Sequence, residues 1–127
     1  MALDTVRVSQ DGKNYLIRLK TRTGIQNWNV LCRWALCKSL GEVDPPAVVP
    51  IATDSNIEMT WRTFGGEFAD LYLALVEYRC HIDGLGTDPE TVAEQCKLHL
   101  HRGIASLFGD QGLKSISDLV RLSNSEE

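Results

Sequence analysis

The chain has 127 residues, 43% of them hydrophobic and 24% charged, with a net charge of −4. That is an ordinary balance for one globular domain with a real core. It excludes a membrane-spanning chain, because no apolar run is long enough, and no N-terminal run resembles a signal peptide; a cytoplasmic protein is expected.

Leu3 to Ser9 alternates, with Val6 and Val8 on one face and Thr5, Arg7 and Ser9 on the other, which predicts a short strand. Ser9 or Asp11 offers a helix cap, and Asn14 to Thr23 follows as a first helix ending at Gly24. Tyr15, Leu16 and Leu19 form its apolar stripe, and Lys13, Arg18, Lys20 and Arg22 occupy the rest. Gly24 and Gly41 bracket a second helix capped at Asn27. Its apolar residues cover nearly the whole circumference, leaving only Gln26, Asn29 and Arg33 as a polar stripe. A helix of that kind is covered on most sides, by its own chain and by another subunit. A strand, a basic helix, a glycine turn and a buried helix in succession are similar to the ribbon-helix-helix order.

Residues 42–56 hold three of the four prolines and predict an extended surface segment carrying Val48, Val49 and Ile51. Ile57 to Thr63 alternates and suits either a second strand or the first turn of a helix. After Gly65-Gly66, Glu67 to Asp83 predicts a helix with two apolar stripes. One is Phe68, Leu71, Tyr72, Leu75, Tyr78 and Ile82; the other is Leu73, Val76 and Cys80. Together they exceed what one neighbour can cover. Asp88-Pro89-Glu90 opens a further helix with a cap, a proline and an acid at the positive end of the dipole. Its core face is Val92, Ala93, Cys96, Leu100, Ile104 and Leu107. Beyond Gly109 a short amphipathic helix is expected at Leu113 to Leu122, then a polar tail. The expected fold is mainly α, a single helical domain over residues 1–108 with one or two short strands, followed by residues 109–127 as short helix and tail.

Charge is unevenly distributed. The first forty residues carry seven basic side chains (Arg7, Lys13, Arg18, Lys20, Arg22, Arg33, Lys38) against two acids; the rest carries six basic and fifteen acidic. A polyanion would meet the first third of the chain. On charge alone a solvated helix face is the better reading.

No catalytic or metal-binding set emerges. Cys32 and Cys37 are five apart and share no helix face, and no CxxC is present. Cys80-His81 and His99-Leu100-His101 point to different sides of a helix. Buried thiols and surface histidines explain these residues more simply, so the cysteines are expected to be reduced and metal-free. There is no GxSxG and no phosphate loop at Gly65-Gly66. Glu67 and Asp70 lie three apart at a helix N-terminus, where acids stabilise the dipole. No cofactor is expected.

Three runs carry a family resemblance: RTGIQNWNVLCRWALCKSL (Arg22 to Leu40), SNIEMTWRTFGGEFADLYLALVEYRC (Ser55 to Cys80) and HLHRGIASL (His99 to Leu107). They resemble DndE, the small protein of bacterial DNA phosphorothioation, over roughly residues 5–108. The resemblance implies a helical homotetramer that binds duplex DNA with a liking for nicks. It also implies that sulfur chemistry belongs to companions: a cysteine desulfurase, an iron–sulfur sulfurtransferase-like subunit and an ATPase. Family lysines are thought to carry the DNA contact, a role that falls here on Lys13 and Lys20.

The expected function is therefore a non-enzymatic DNA-binding accessory protein of phosphorothioation. Lys13, Arg18, Lys20 and Arg22 are the main candidate contacts, with Arg7, Arg33 and Lys38 as lesser ones. Nothing resembles a base-reading set, so backbone recognition is expected. Two rivals stay open. One is a ribbon-helix-helix regulator, reading DNA through Arg7 on a strand paired across a dimer. The other is an enzyme, either a nickase or a small carboxylase-like protein.

Overall fold

Ser9 fixes where the first helix starts. In the computed structural model, which describes residues 4–109, its backbone is extended and its Oγ accepts the Gly12 N–H at 3.0 Å. That bond satisfies one of the donors a helix start leaves open. Helix α1 accordingly runs Gln10–Thr23, a turn earlier than its apolar stripe suggests. Gly24 ends it in the left-handed region, φ 77°, where a side chain would strain the backbone. The chain then turns through 24–27 into α2, Trp28–Leu40.

Two short strands pair antiparallel, β1 at Thr5–Arg7 and β2 at Glu58–Thr60, with Val6 opposite Met59. The pairing continues past the strands through Val8 N–H to the Ile57 carbonyl at 3.2 Å and Ser55 N–H to the Val8 carbonyl at 3.3 Å. The partner of β1 thus lies in the same chain, whereas a ribbon-helix-helix reader needs it in a second one. The alternating run at 57–63 is strand and helix in turn. Thr60 ends β2 and caps the short α3, Trp61–Gly65, by accepting the Thr63 N–H at 3.1 Å. A single 3-10 turn, Gly66–Phe68, leads into α4, Ala69–Ile82. The last described helix, α5, spans Pro89–Gly109. Asp88 caps it, accepting from the Thr91 N–H at 3.1 Å and the Thr91 hydroxyl at 2.7 Å.

The core forms where α2 lies against α5, with α1, α3 and α4 around them. Leu31, Cys32, Ala35 and Leu36 of α2 are buried with Cys96, Leu100, Ile104 and Leu107 of α5. Gly103 makes that crossing possible: a Cβ there would sit 1.7 Å from the Ala35 carbonyl oxygen. Two buried or half-buried arginines brace the end of α2. Arg79 donates to the carbonyls of Leu40, Glu42 and Val43 at 2.6–3.1 Å and pairs with Asp83 at 2.9 Å. Arg102 donates to the Ser39 hydroxyl and carbonyl and to the Asp44 carbonyl, and pairs with Glu42 at 3.1 Å. Both satisfy carbonyls that a helix end leaves without partners.

The expectation of surface histidines holds for His81, which is exposed, and needs correcting for the other two. His99 is 1% exposed and His101 half-buried, because α5 crosses the core and has little outer face. On α4 the smaller stripe turns inward, burying Val76 and Cys80, while Phe68, Leu71, Leu75, Tyr78 and Ile82 stay 39–63% exposed. The short helix expected at Leu113 to Leu122 lies outside the described residues. Among the described residues no helix is long and apolar enough to cross a membrane.

Candidate nucleic-acid interface

Helix α1 buries Gly12, Leu16, Leu19 and Thr23, spaced four, three and four, and this sets where its cations go. Lys13 and Lys20 are seven apart, two turns along one flank. Both line one open cleft of about 560 Å³, whose wall also includes Asn27, Trp28, Asn29 and Asn56. Lys13 Nζ donates to Asn56 Oδ1 at 2.6 Å. Lys20 Nζ stands 3.5 Å from the centre of the Trp28 ring, a cation–π contact that holds the ammonium over the aromatic face. The N-terminus of α2 opens here too. Asn27 makes no side-chain cap bond and no acid lies in the first turn, so the positive end of the helix is uncompensated. Glu58 is the carboxylate on the rim, and Arg7 pairs with it at 3.2 Å.

The other basic residues go elsewhere. Arg18 and Arg22 sit on another flank, with guanidinium carbons 5.7 and 4.7 Å from the centre of the Phe108 ring. Arg22 also donates to the Phe108 carbonyl at 2.8 Å, so it closes the end of α5 against α1. Arg18 remains exposed. Arg33 is half-buried and donates to the Phe64 carbonyl at the end of α3. Lys38 lies 3.7 Å from Glu42. Of the seven sequence candidates the fold brings Lys13 and Lys20 together, with Arg7 joined through Glu58.

A family model, DNA sulphur modification protein DndE, matches residues 5–115. The chain belongs to the DndE family. Two crystal structures share the fold of this DndE-family chain. One is DndE from Escherichia coli B7A, involved in DNA phosphorothioation modification. It is 19% identical, with a TM-score of 0.70 over 84% of this chain and 98% of that one. The other is a DndE G21/24K mutant involved in DNA phosphorothioation. It is 15% identical, with a TM-score of 0.62 over 82% of this chain and 97% of that one. No curated protein matches.

The rest of the DndE-family fold offers little nucleophilic chemistry. Cys37, expected among the buried thiols, is exposed, whereas Cys32, Cys80 and Cys96 are buried. Burial pushes the Cys32 and Cys96 thiols up to about 12; partial desolvation also raises Cys37, and burial raises Cys80 with help from Asp83, Asp88 and Glu77. Thiols so raised stay protonated near neutral pH. Among the described residues no group of three or more His, Cys, Asp or Glu could hold a metal ion. His101 is committed structurally: Nδ1–H donates to the Lys97 carbonyl at 2.8 Å and Nε2 accepts the Ser9 N–H at 3.0 Å. Trp28, Asn27 and Asn56 of the cleft were not among the sequence candidates. The available signal was the seven-residue spacing of Lys13 and Lys20, which predicts a shared flank but not what faces it.

Proposed function

We propose that this DndE-family chain is a non-catalytic DNA-binding subunit of DNA phosphorothioation. It acts in the cytoplasm beside an iron–sulfur sulfurtransferase-like subunit and an ATPase, which carry out the sulfur chemistry. The observation that carries the reading is the cleft where Lys13 and Lys20 flank the open start of α2. Two ammonium groups and a helix N-terminus suit phosphate. The two ammonium groups and the helix start address phosphates, which carry no sequence information, so duplex and nicked DNA are bound with little regard to sequence. The exposed stripe of α4 is the surface through which the chain forms a homotetramer, and symmetry then gathers the basic flanks of several α1 helices.

The test is a binding titration of intact, nicked and single-stranded DNA across a range of salt. Log affinity falls linearly with log salt, by about −0.9 per phosphate contact on duplex. Lys13→Glu/Lys20→Glu protein binds every sequence more weakly and with a shallower slope. Double-mutant affinity equal to wild type at moderate salt would remove the cleft from the DNA surface. Strand cleavage by the purified protein would make it a nickase.

A further inference from the structure

The cleft is built for more than phosphate. A basic surface that tracks a duplex backbone needs cations on open ground, since a duplex presents its phosphates outward. Here the two lysines rise from a concavity of about 560 Å³, within the roughly 300–1,000 Å³ of small-ligand sites. An aromatic plate and a ring of carboxamides furnish it. Asn27, Asn29 and Asn56 each carry a donor and an acceptor, the pair that meets the edge of a base. Asn27 spends no side-chain bond on capping α2, and Asn29 uses only its amide nitrogen, donating to the Thr63 carbonyl at 3.1 Å.

We infer that this cleft receives one unpaired nucleotide of the bound DNA, its base stacked on Trp28 and its flanking phosphates held by Lys13 and Lys20. The inference rests on the DNA-binding reading above and adds to it which feature of the DNA is recognised. Trp28 is half-buried, and the face that Lys20 covers at 3.5 Å is held by one flexible side chain. Aromatic faces accept cations and bases alike. An incoming base displaces the ammonium, and the released ammonium moves to the phosphate beside that base. The contact to Asn56 keeps Lys13 on the opposite wall, at 2.6 Å. Carboxamides carry no charge and offer either polarity, so the cleft accepts several bases. The carboxylate of Glu58, already paired with Arg7, can only accept, from the amino or ring N–H groups of a base.

The experiment compares three DNAs with the full-length protein: an intact duplex, the same duplex with one unpaired nucleotide, and that duplex with an abasic residue in its place. Stacking predicts that the base-bearing DNA binds roughly tenfold more tightly than the abasic one. A 2-aminopurine at the unpaired position should lose fluorescence on binding. In Trp28→Leu the base-to-abasic ratio should fall to about one, whatever becomes of overall affinity. Asn27→Ala gives a second reading that leaves the helix cap unaltered, and the ratio should fall several-fold with helicity unchanged by circular dichroism. Equal binding of base-bearing and abasic DNA would overturn the inference while the DNA-binding reading stands. A ratio that survives both substitutions would overturn it too, placing the base elsewhere. Failure to bind any of the three DNAs would sink the DNA-binding reading, and this inference with it.

Discussion

At the scale of single residues, buried Ser39 and His99 with half-buried Arg102 set a pH limit on stability. Arg102 Nε donates to Ser39 Oγ at 2.8 Å, and the hydroxyl hydrogen goes to His99 Nδ1, also at 2.8 Å. The imidazole proton then sits on Nε2, which is buried without a partner. Desolvation first, then the charges of Arg102 and Arg79, hold His99 down at about 4 from 6.5, against a smaller opposing pull from Asp83. The unfolded chain therefore takes up a proton near pH 6.5 that the folded chain refuses until about pH 4. Stability is full above that window and is lost as pH falls through it, by an amount of order 2 kcal/mol. Chemical denaturation between pH 7 and 4.5 should show the loss, and His99→Gln should flatten it. His101 acts in the same direction, again mainly through burial. None of this was legible in the sequence, where His99 and His101 read as surface residues. Burial of a polar side chain is decided by what crosses above it, and apolar periodicity does not record that.

Secondary-structure elements were more legible than their contacts. The cap at Asp88 and the stop at Gly24 are local chemistry and stand where the sequence puts them; Asn27 holds the expected position before α2, but its side chain makes no cap bond. Gly103 is the counterexample. Nothing in the spacing of α5 marks it, because its reason is the Ala35 carbonyl on another helix. A methyl at that position meets backbone, which cannot rotate away, so α2 and α5 must separate. Gly103→Ala should cost about 3 kcal/mol or more, since overpacking against rigid atoms lies at the upper end of such changes. A thermal melt of that variant beside wild type decides it; an unchanged midpoint would mean that the helices shift at no cost. Much the same holds for the cleft. The shared flank of Lys13 and Lys20 follows from their spacing, but Trp28 comes from α2 and Asn56 from a proline-rich segment with no periodicity to read.

Over the whole molecule, the decisive feature is the outward face of α4. Phe68, Leu71, Leu75, Tyr78 and Ile82 recur at three and four, the spacing of a helix-packing seam. Beside it, Cys37, Leu40, Val43 and Leu75 line a groove of about 450 Å³. Contiguous apolar surface of this kind marks an association site. Both stripes of α4 were visible in the sequence, but not which one turns inward. The fold buries the smaller side chains, since they allow α4 to lie close to its neighbours. Leu75→Glu/Tyr78→Glu places charge in the proposed tetramer interface, where an unpaired charge is costly to desolvate. Sedimentation should find wild type as a tetramer and this variant as monomer with its helical content kept. Unaltered assembly would move the interface elsewhere.

The two-stranded ribbon has a consequence for how the protein comes into being. It ties Arg7 to Glu58, 51 residues apart, so β1 waits for half the chain to be synthesised before it has a partner. Helices α1 and α2, joined by a short turn, meet no such delay, because closing a short loop costs less entropy than closing a long one. The same ribbon brings Asn56 against Lys13. A nascent chain carrying all seven N-terminal cations therefore has the charge to attract nucleic acid before it has the cleft that grips it. Polyanions crowded around the ribosome meet only an unfinished surface, and the completed cleft arrives when the ribbon closes.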